Sequence, residues 1–248
     1  MRILLVGEFS SFHRYLKDGL TALGHEVILA AGGDGWKNIG GADIVFSDAM
    51  YRNTLSDRIS DFVQSYRIVN QLRDYDVVQF INPKIFRPSF NLFLQKKLIK
   101  NNRFIALSCC GGDLAYIEAY ENGLLKKYVP GPNDSLVRRY SEKTLSGRMV
   151  RRNERELRKY YDVLIPASYE YGVGYDSAKR SEVIPMPVSV DRIEYHENRV
   201  KNDKVVLFHG LNREEEKGTP MIRKALARIE KEYKDHVEIV MQGHMPFD

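Results

Sequence analysis

The sequence predicts an α/β protein: a Rossmann-like domain built on a parallel sheet, followed by the first βαβ unit of a second Rossmann-like domain. Three observations lead there. Residues 3–6, Ile-Leu-Leu-Val, make an unbroken apolar run closed by Gly7, the pattern of a strand buried on both faces. Phe12, Tyr15, Leu16, Leu20 and Leu23 then recur at helical spacing before Gly24, and a second apolar run follows at 25–30. The same order of strand, loop, helix and strand returns at 205–241.

Taken in order, Ser10 or Ser11 is placed to cap the first helix. The loop Gly7-Glu8-Phe9-Ser10-Ser11 lacks the G-x-G-x-x-G pattern, which argues against a nicotinamide dehydrogenase. His13, in the first helical turn with no motif behind it, reads as a solvated surface side chain, with a ligand contact as the alternative. Residues 31–56 are glycine-rich and polar, with a short strand expected at 43–46. Trp36 is either a stacking platform for a sugar or an aromatic tucked onto the sheet edge.

A helix is expected from Ser56 and Asp57 through Leu72, then a strand at 76–81, a helix marked by Leu92, Phe93 and Leu98, and a strand at 104–107. Right-handed crossovers keep such strands parallel and gather the loops at their carboxyl ends over one cleft. At the end of the last of these strands come Ser108, Cys109, Cys110, Gly111, Gly112 and Asp113. Small residues there let a ligand or a facing domain approach the backbone, and Asp113 can cap the next helix. Cys110 reads first as a small buried residue, and Asp113 equally as a plain cap.

Pro130, Gly131 and Pro132 break the chain before a basic segment that runs from Arg138 to Lys159. Its apolar residues are too sparse for a membrane-inserting helix. It reads as a solvated helix face, with anionic lipid headgroups or a lipid diphosphate as its alternative contact. A strand at 162–166 leads to Ser168, Tyr169 and Glu170; another is expected at 181–184, before Pro185 and Pro187 stiffen the exit.

The chain has 248 residues and a net charge of +5, with a pI near 9.0. That balance suits anionic partners such as nucleotide sugars or acidic lipid surfaces, and is no nucleic-acid footprint. The adjacent Cys109 and Cys110 do not suit disulfide geometry. The first apolar run is too short for a signal peptide or a membrane span. A cytoplasmic protein is expected, with any membrane contact peripheral and on the inner face. No paired-aspartate motif or His/Cys cluster has metal-ligand spacing, so neither a metal nor a cofactor is expected.

The late stretch organises the reading of function. Residues 205–209 run into Gly210, then a polar loop carrying Asn212, Arg213 and Lys217, then Gly218 and a helix from about Pro220. A strand that reopens as a helix is expected to present unpaired N–H groups and the positive dipole end to a phosphate. Arg213 and Lys217 add charge suited to a diphosphate.

This stretch resembles the first strand-loop-helix of the donor domain in glycosyltransferase family 4, whose members have two Rossmann domains (the GT-B fold). Residues 183–193 are similar to that family's interdomain signature, and 108–113 to its His-Gly-Ser-Asp type of motif, with Cys110 where the family has a histidine. The resemblance implies an acceptor domain at 1–186, a linker at 187–203 and a truncated donor domain at 204–248. It implies transfer of a sugar, with retention and without metal, from a nucleotide diphosphate sugar to a glycan or lipid-linked acceptor. Arg213 and Lys217 would carry the catalysis by stabilising the leaving diphosphate, while Gly210, Asn212, Gly218, Tyr169 and Glu170 would bind the donor. Gly7, Ser10, His13, Cys110, Gly111, Gly112 and Asp113 would line the acceptor site or cleft. Leu211 and Asn212 intervene before Arg213, a departure from the family pattern. The incomplete second sheet is expected to need cover, from a homo-oligomer for example. The alternative is a non-catalytic protein of the same fold that binds or scaffolds.

Overall fold

The computed structural model describes residues 1–32, 39–46, 54–125, 135–190, 193–195, 197, 204–211, 214 and 217–243. Backbone contacts divide the chain into two units, Met1–Val190 and Asp191–Asp248.

The first unit contains β1 (Arg2–Val6), α1 (Phe12–Ala22), β2 (Glu26–Ala31), β3 (Ile44–Val45), α2 (Leu55–Gln71), β4 (Val77–Phe80), α3 (Pro88–Lys100) and β5 (Phe104–Cys109). It continues with α4 (Leu114–Glu121), α5 (Ser135–Arg139), α6 (Leu145–Leu157), β6 (Val163–Pro166) and α7 (Tyr169–Gly172). Six strands form one sheet in the order β3-β2-β1-β4-β5-β6, and every pairing is parallel. The fold is Rossmann-like α/β, and the direction of strand addition reverses between β1 and β4.

The apolar run of β1 is continuous because both faces of the sheet are covered. Leu4 and Val6 point into the larger core with Val78, Phe80, Leu107 and Leu164 of neighbouring strands, closed by Val69, Leu94, Leu98 and Leu157 from helices. Ile3 and Leu5 point the other way, with Val27 and Leu29, under Leu16 and Leu20 of α1. Helix α2 packs on α3, and α3 on α6, so these three form one layer.

Local chemistry sets the helix starts. Thr54 rather than Ser56 opens α2 through a capping box: its side chain accepts from the Asp57 N–H, and Asp57 accepts from the Thr54 N–H. Ser11 occupies the N-cap position of α1 in the left-handed region, φ 64°, but its side chain makes no capping bond. The carboxylate of Glu8 does that work, accepting from the N–H groups of His13 and Arg14 at 3.4 and 2.8 Å.

Two expectations are corrected. Residues 181–184 form no strand. Ser181 and Ile184 donate to the carbonyls of Leu164 and Pro166, but Val183 and Ile184 are exposed, and Pro185 has no N–H to extend a ladder. The basic segment is also not simply a solvated face, because its inner side is core. Arg151 is buried; its Nε donates to the Tyr140 carbonyl at 2.7 Å and its guanidinium pairs with Glu121. Asn153, Glu154 and Leu157 of the same helix are buried beside it.

The second unit holds β7 (Val205–Leu211), α8 (Thr219–Glu232) and β8 (Val237–Gly243). The strands pair in parallel from Val205 with Val237 to Leu211 with Gly243, completing a second βαβ unit.

Gly147, at the start of α6, offers a test of packing against propensity. Alanine in a helix is favoured over glycine by about 0.5–1 kcal/mol, but a Cβ here would overlap the carbonyl oxygen of Ser141. Overpacking against backbone costs roughly 1–3 kcal/mol. Gly147→Ala is therefore expected to lower the urea midpoint; a variant more stable than the parent would show that the Ser141 turn yields freely.

Candidate functional site

The four central and distal strands β1, β4, β5 and β6 deliver their carboxyl-end loops to one edge of the sheet. In open α/β sheets, ligands bind beyond the carboxyl ends of strands, where the strand order reverses. The loops are 7–11, 81–87, 110–113 and 167–168.

Gly7 has φ +85°, and a Cβ there would meet Ile81 at 2.5 Å and Ile85 at 2.8 Å. Its missing side chain thus makes room for the chain's own isoleucines. Phe12, Ile81 and Cys110 pack together, with Phe9, Ile85 and Ala167 around them. Cys110 is a buried thiol, in no disulfide, in this apolar cluster. Ser10 lies in the same loop as Gly7, in the left-handed region at φ 51°.

His13 corrects the expectation of a solvated side chain, since it is fully buried. Its Nδ1 lies 2.7 Å from the Gly7 carbonyl oxygen. A carbonyl only accepts, so Nδ1 carries the proton and Nε2 presents a lone pair. Among the described residues that Nε2 has no hydrogen-bond partner, and neither do the buried hydroxyls of Ser11 and Ser168. Burial pushes the His13 pKa down to about 3, against the opposing pull of the Gly7 hydrogen bond. The sequence did carry a signal: His13 stands three and seven residues before Leu16 and Leu20, on the apolar stripe of α1.

The loop after β5 is held from two sides. Asn82 donates to the Cys110 carbonyl at 3.3 Å, and Lys84 Nζ donates to the Gly112 carbonyl. Gly112 has no room for a ligand, since a Cβ would overlap Leu136 of α5. Gly111 is different: with φ +93°, none of the described residues beyond its chain neighbours comes within 4 Å of where a Cβ would stand. Asp113 caps α4, accepting from the Tyr116 N–H at 3.0 Å, and its other oxygen accepts from the Tyr175 hydroxyl at 2.5 Å. Burial raises its pKa, opposed by these donors and by Lys84.

Sequence reasoning missed the group behind this loop. Glu154 accepts from the Leu114 N–H at 2.8 Å and from the Tyr140 hydroxyl at 2.6 Å. Burial raises its pKa to about 7, with Lys84 opposing the rise and Asp113 adding to it. Burial lowers the pKa of Lys84, against the attraction of Glu154. In the sequence Glu154 is one acid among arginines, and nothing in its spacing separates it from the exposed ones. Lys84, Asp113 and Glu154 thus tie down the 110–113 loop and the start of α4 from behind, beside the open space at Gly111.

Tyr169 and Glu170 sit exposed on α7, at the carboxyl end of β6. In the second unit, Gly210 lies near the end of β7, and Gly218 is the N-cap of α8 at φ 66°. Lys217 is exposed just before it, whereas Asn212 and Arg213 lie outside the described residues. So do Trp36, Pro130, Gly131 and Pro132. The expectation of unpaired N–H groups at this helix start is corrected. Thr219 N–H donates to Glu214, Met221 and Ile222 N–H both donate to the Gly218 carbonyl, and Pro220 has none. The His209 ring lies 2.8 Å from the Thr219 hydroxyl, tying the strand to the helix start.

Among the described residues, no group of three or more His, Cys, Asp or Glu is placed to hold a metal ion, and no helix is long and apolar enough to cross a membrane. Neither protein-family models nor curated proteins match the chain.

His13 gives the first unit a defined pH response. Its folded pKa lies near 3, below the ordinary value of 6.5, so between those limits the unfolded chain binds more protons and stability falls with acidification. Parent minus His13→Gln stability is expected to decline by up to about 1.4 kcal/mol per pH unit below pH ~6.5. Urea unfolding at pH 7, 6 and 5 measures it, and a flat difference would mean that the imidazole is solvated.

Proposed function

We propose that this chain is a cytoplasmic protein of glycosyltransferase type, which takes a sugar from a nucleotide diphosphate donor and passes it, with retention, to a glycan or lipid-linked acceptor. The observation that carries the reading is the β7–α8–β8 unit. A strand ends in a polar loop, and the loop enters a helix through Lys217 and the left-handed Gly218. The donor's diphosphate would lie at this loop, where Lys217, Arg213 and the dipole of α8 counter its charge. Because the first N–H groups of α8 are already bonded, the cations and the dipole do most of this work. As the bond from the sugar carbon to the diphosphate oxygen breaks, negative charge gathers on the leaving group, and fixed positive charge there lowers the barrier.

The acceptor would meet the first unit at the carboxyl ends of β1, β4 and β5. Support comes from the open surface at Gly111 and from the way Asn82 and Lys84 hold the loop around it. Tyr169 and Glu170 are available as exposed polar contacts.

A second reading is a non-catalytic binding protein of the same fold. Cys110 favours it, since a thiol packed against Phe12 and Ile81 supplies no polar group to a transferred sugar.

Calorimetric titration with UDP, GDP and ADP tests the placement. One nucleotide is expected to bind, and Arg213→Ala/Lys217→Ala to weaken it roughly tenfold or more, the scale of losing charge-assisted hydrogen bonds. Unchanged affinity in the variant would remove the diphosphate from this loop. Release of free sugar or a glycosylated product from the bound nucleotide sugar separates the enzyme from the binding protein.

A further inference from the structure

Helices α2, α3 and α6 cover one face of the first sheet as a single layer, and the outer surface of that layer is apolar in one half and cationic in the other. On α2, Leu55, Ile59 and Val63 follow one another at four-residue spacing and are exposed to 74%, 57% and 39%. They lie beside, not on, the buried stripe of Asp61, Ser65 and Val69. On α3, Phe93 points outward at 53% exposure. Its ring stacks on Tyr66 at 6.2 Å and lies 6.1 Å from Phe62, so the apolar surface runs unbroken from one helix to the next.

Cations border this surface. Lys97 Nζ stands 5.0 Å from the centre of the Tyr66 ring. Arg67, Lys100, Arg148 and Arg152 are exposed along the three helices, and none forms an ion pair among the described residues. The neighbouring carboxylates are engaged: Glu156 with Lys96 and Lys159, Glu118 with Arg155 and Arg158, Asp61 with Arg87, and Asp57 in the α2 cap. Charge of one sign therefore dominates the outer face.

We propose that this face docks on an anionic lipid bilayer surface, with Leu55, Ile59, Val63 and Phe93 entering the headgroup boundary and Arg67, Lys97, Lys100, Arg148 and Arg152 meeting lipid phosphates. Exposed apolar side chains beside surplus cations are what such a surface binds, through buried apolar area and electrostatic attraction together. A second copy is a poorer occupant, because a two-fold contact would set the same cationic face against itself. The inference is independent of the sugar-transfer reading.

Flotation of the full chain with vesicles tests it, using phosphatidylcholine alone and phosphatidylcholine mixed with phosphatidylglycerol. Binding is expected with the anionic vesicles, absent with the neutral ones and weakened by added salt. Each cation contributes roughly fivefold, so Arg67→Gln/Lys100→Gln/Arg152→Gln is expected to weaken binding by about a hundredfold. Ile59→Ser/Phe93→Ser is expected to weaken it by about tenfold or more. Circular dichroism and thermal unfolding identify folded variants. The proposal is overturned if the folded parent ignores anionic vesicles or if neither variant changes binding. It is equally overturned if Ile59→Ser/Phe93→Ser abolishes a dimer seen by light scattering, which would assign the face to a second copy.

Discussion

The parallel run of all six strands is the constraint on which the rest of the first unit depends. Parallel neighbours cannot be joined by tight turns, so each connection must cross a face of the sheet, most of them as helices. Those helices bury both faces, which is why β1 is apolar at successive positions and not at alternate ones. The same constraint brings every strand's carboxyl end to one edge. Reversal of strand order falls between β1 and β4, the place where open sheets of this kind part their crossovers and form a crevice.

What fills that crevice is set by side chains from distant parts of the sequence. Ile81 and Ile85 occupy the space that Gly7 vacates, and Leu136 occupies the space at Gly112. Behind them, Lys84, Asp113 and Glu154 share a low-dielectric pocket, where each would be costly alone. Their hydrogen bonds go to backbone groups and tyrosine hydroxyls, so burial is offset and the loop after β5 is fixed in place. A loop tied down in this way needs less ordering on binding than a free one. The second unit is simpler: one helix links two strands, and Thr219 joins strand to helix through His209.

Much of the architecture was legible because it rests on near-neighbour periodicity. The apolar runs of β1, β2, β4, β5 and β6, the helical stripe of α1 and the cap at Asp113 all follow from residues within a few positions of one another. The expected strand at 181–184 failed for a reason that periodicity omits: a strand needs a partner with free groups in register, and Pro185 ends the donors on that side. The serine cap of α1 failed similarly. Glu8 is near in sequence, but its reach to the His13 and Arg14 N–H groups depends on the left-handed turn at Ser10 and Ser11.

By itself the sequence determined the α/β class, the parallel sheet and the positions of the loops that face the crevice, because these follow from hydrophobic pattern and chain direction. It could not assign burial to charged or polar side chains. Arg151 and Glu154 carry the same local signature as solvated residues, and although His13 lies on the apolar stripe of α1, only long-range packing takes all three out of water. Tertiary structure alone therefore decided that His13 is neutral, that Glu154 and Lys84 face the same loop, and that the first turn of α8 has already used its donors. Each of these depends on which atoms lie within a few ångströms in space, a distance that spacing along the chain does not measure.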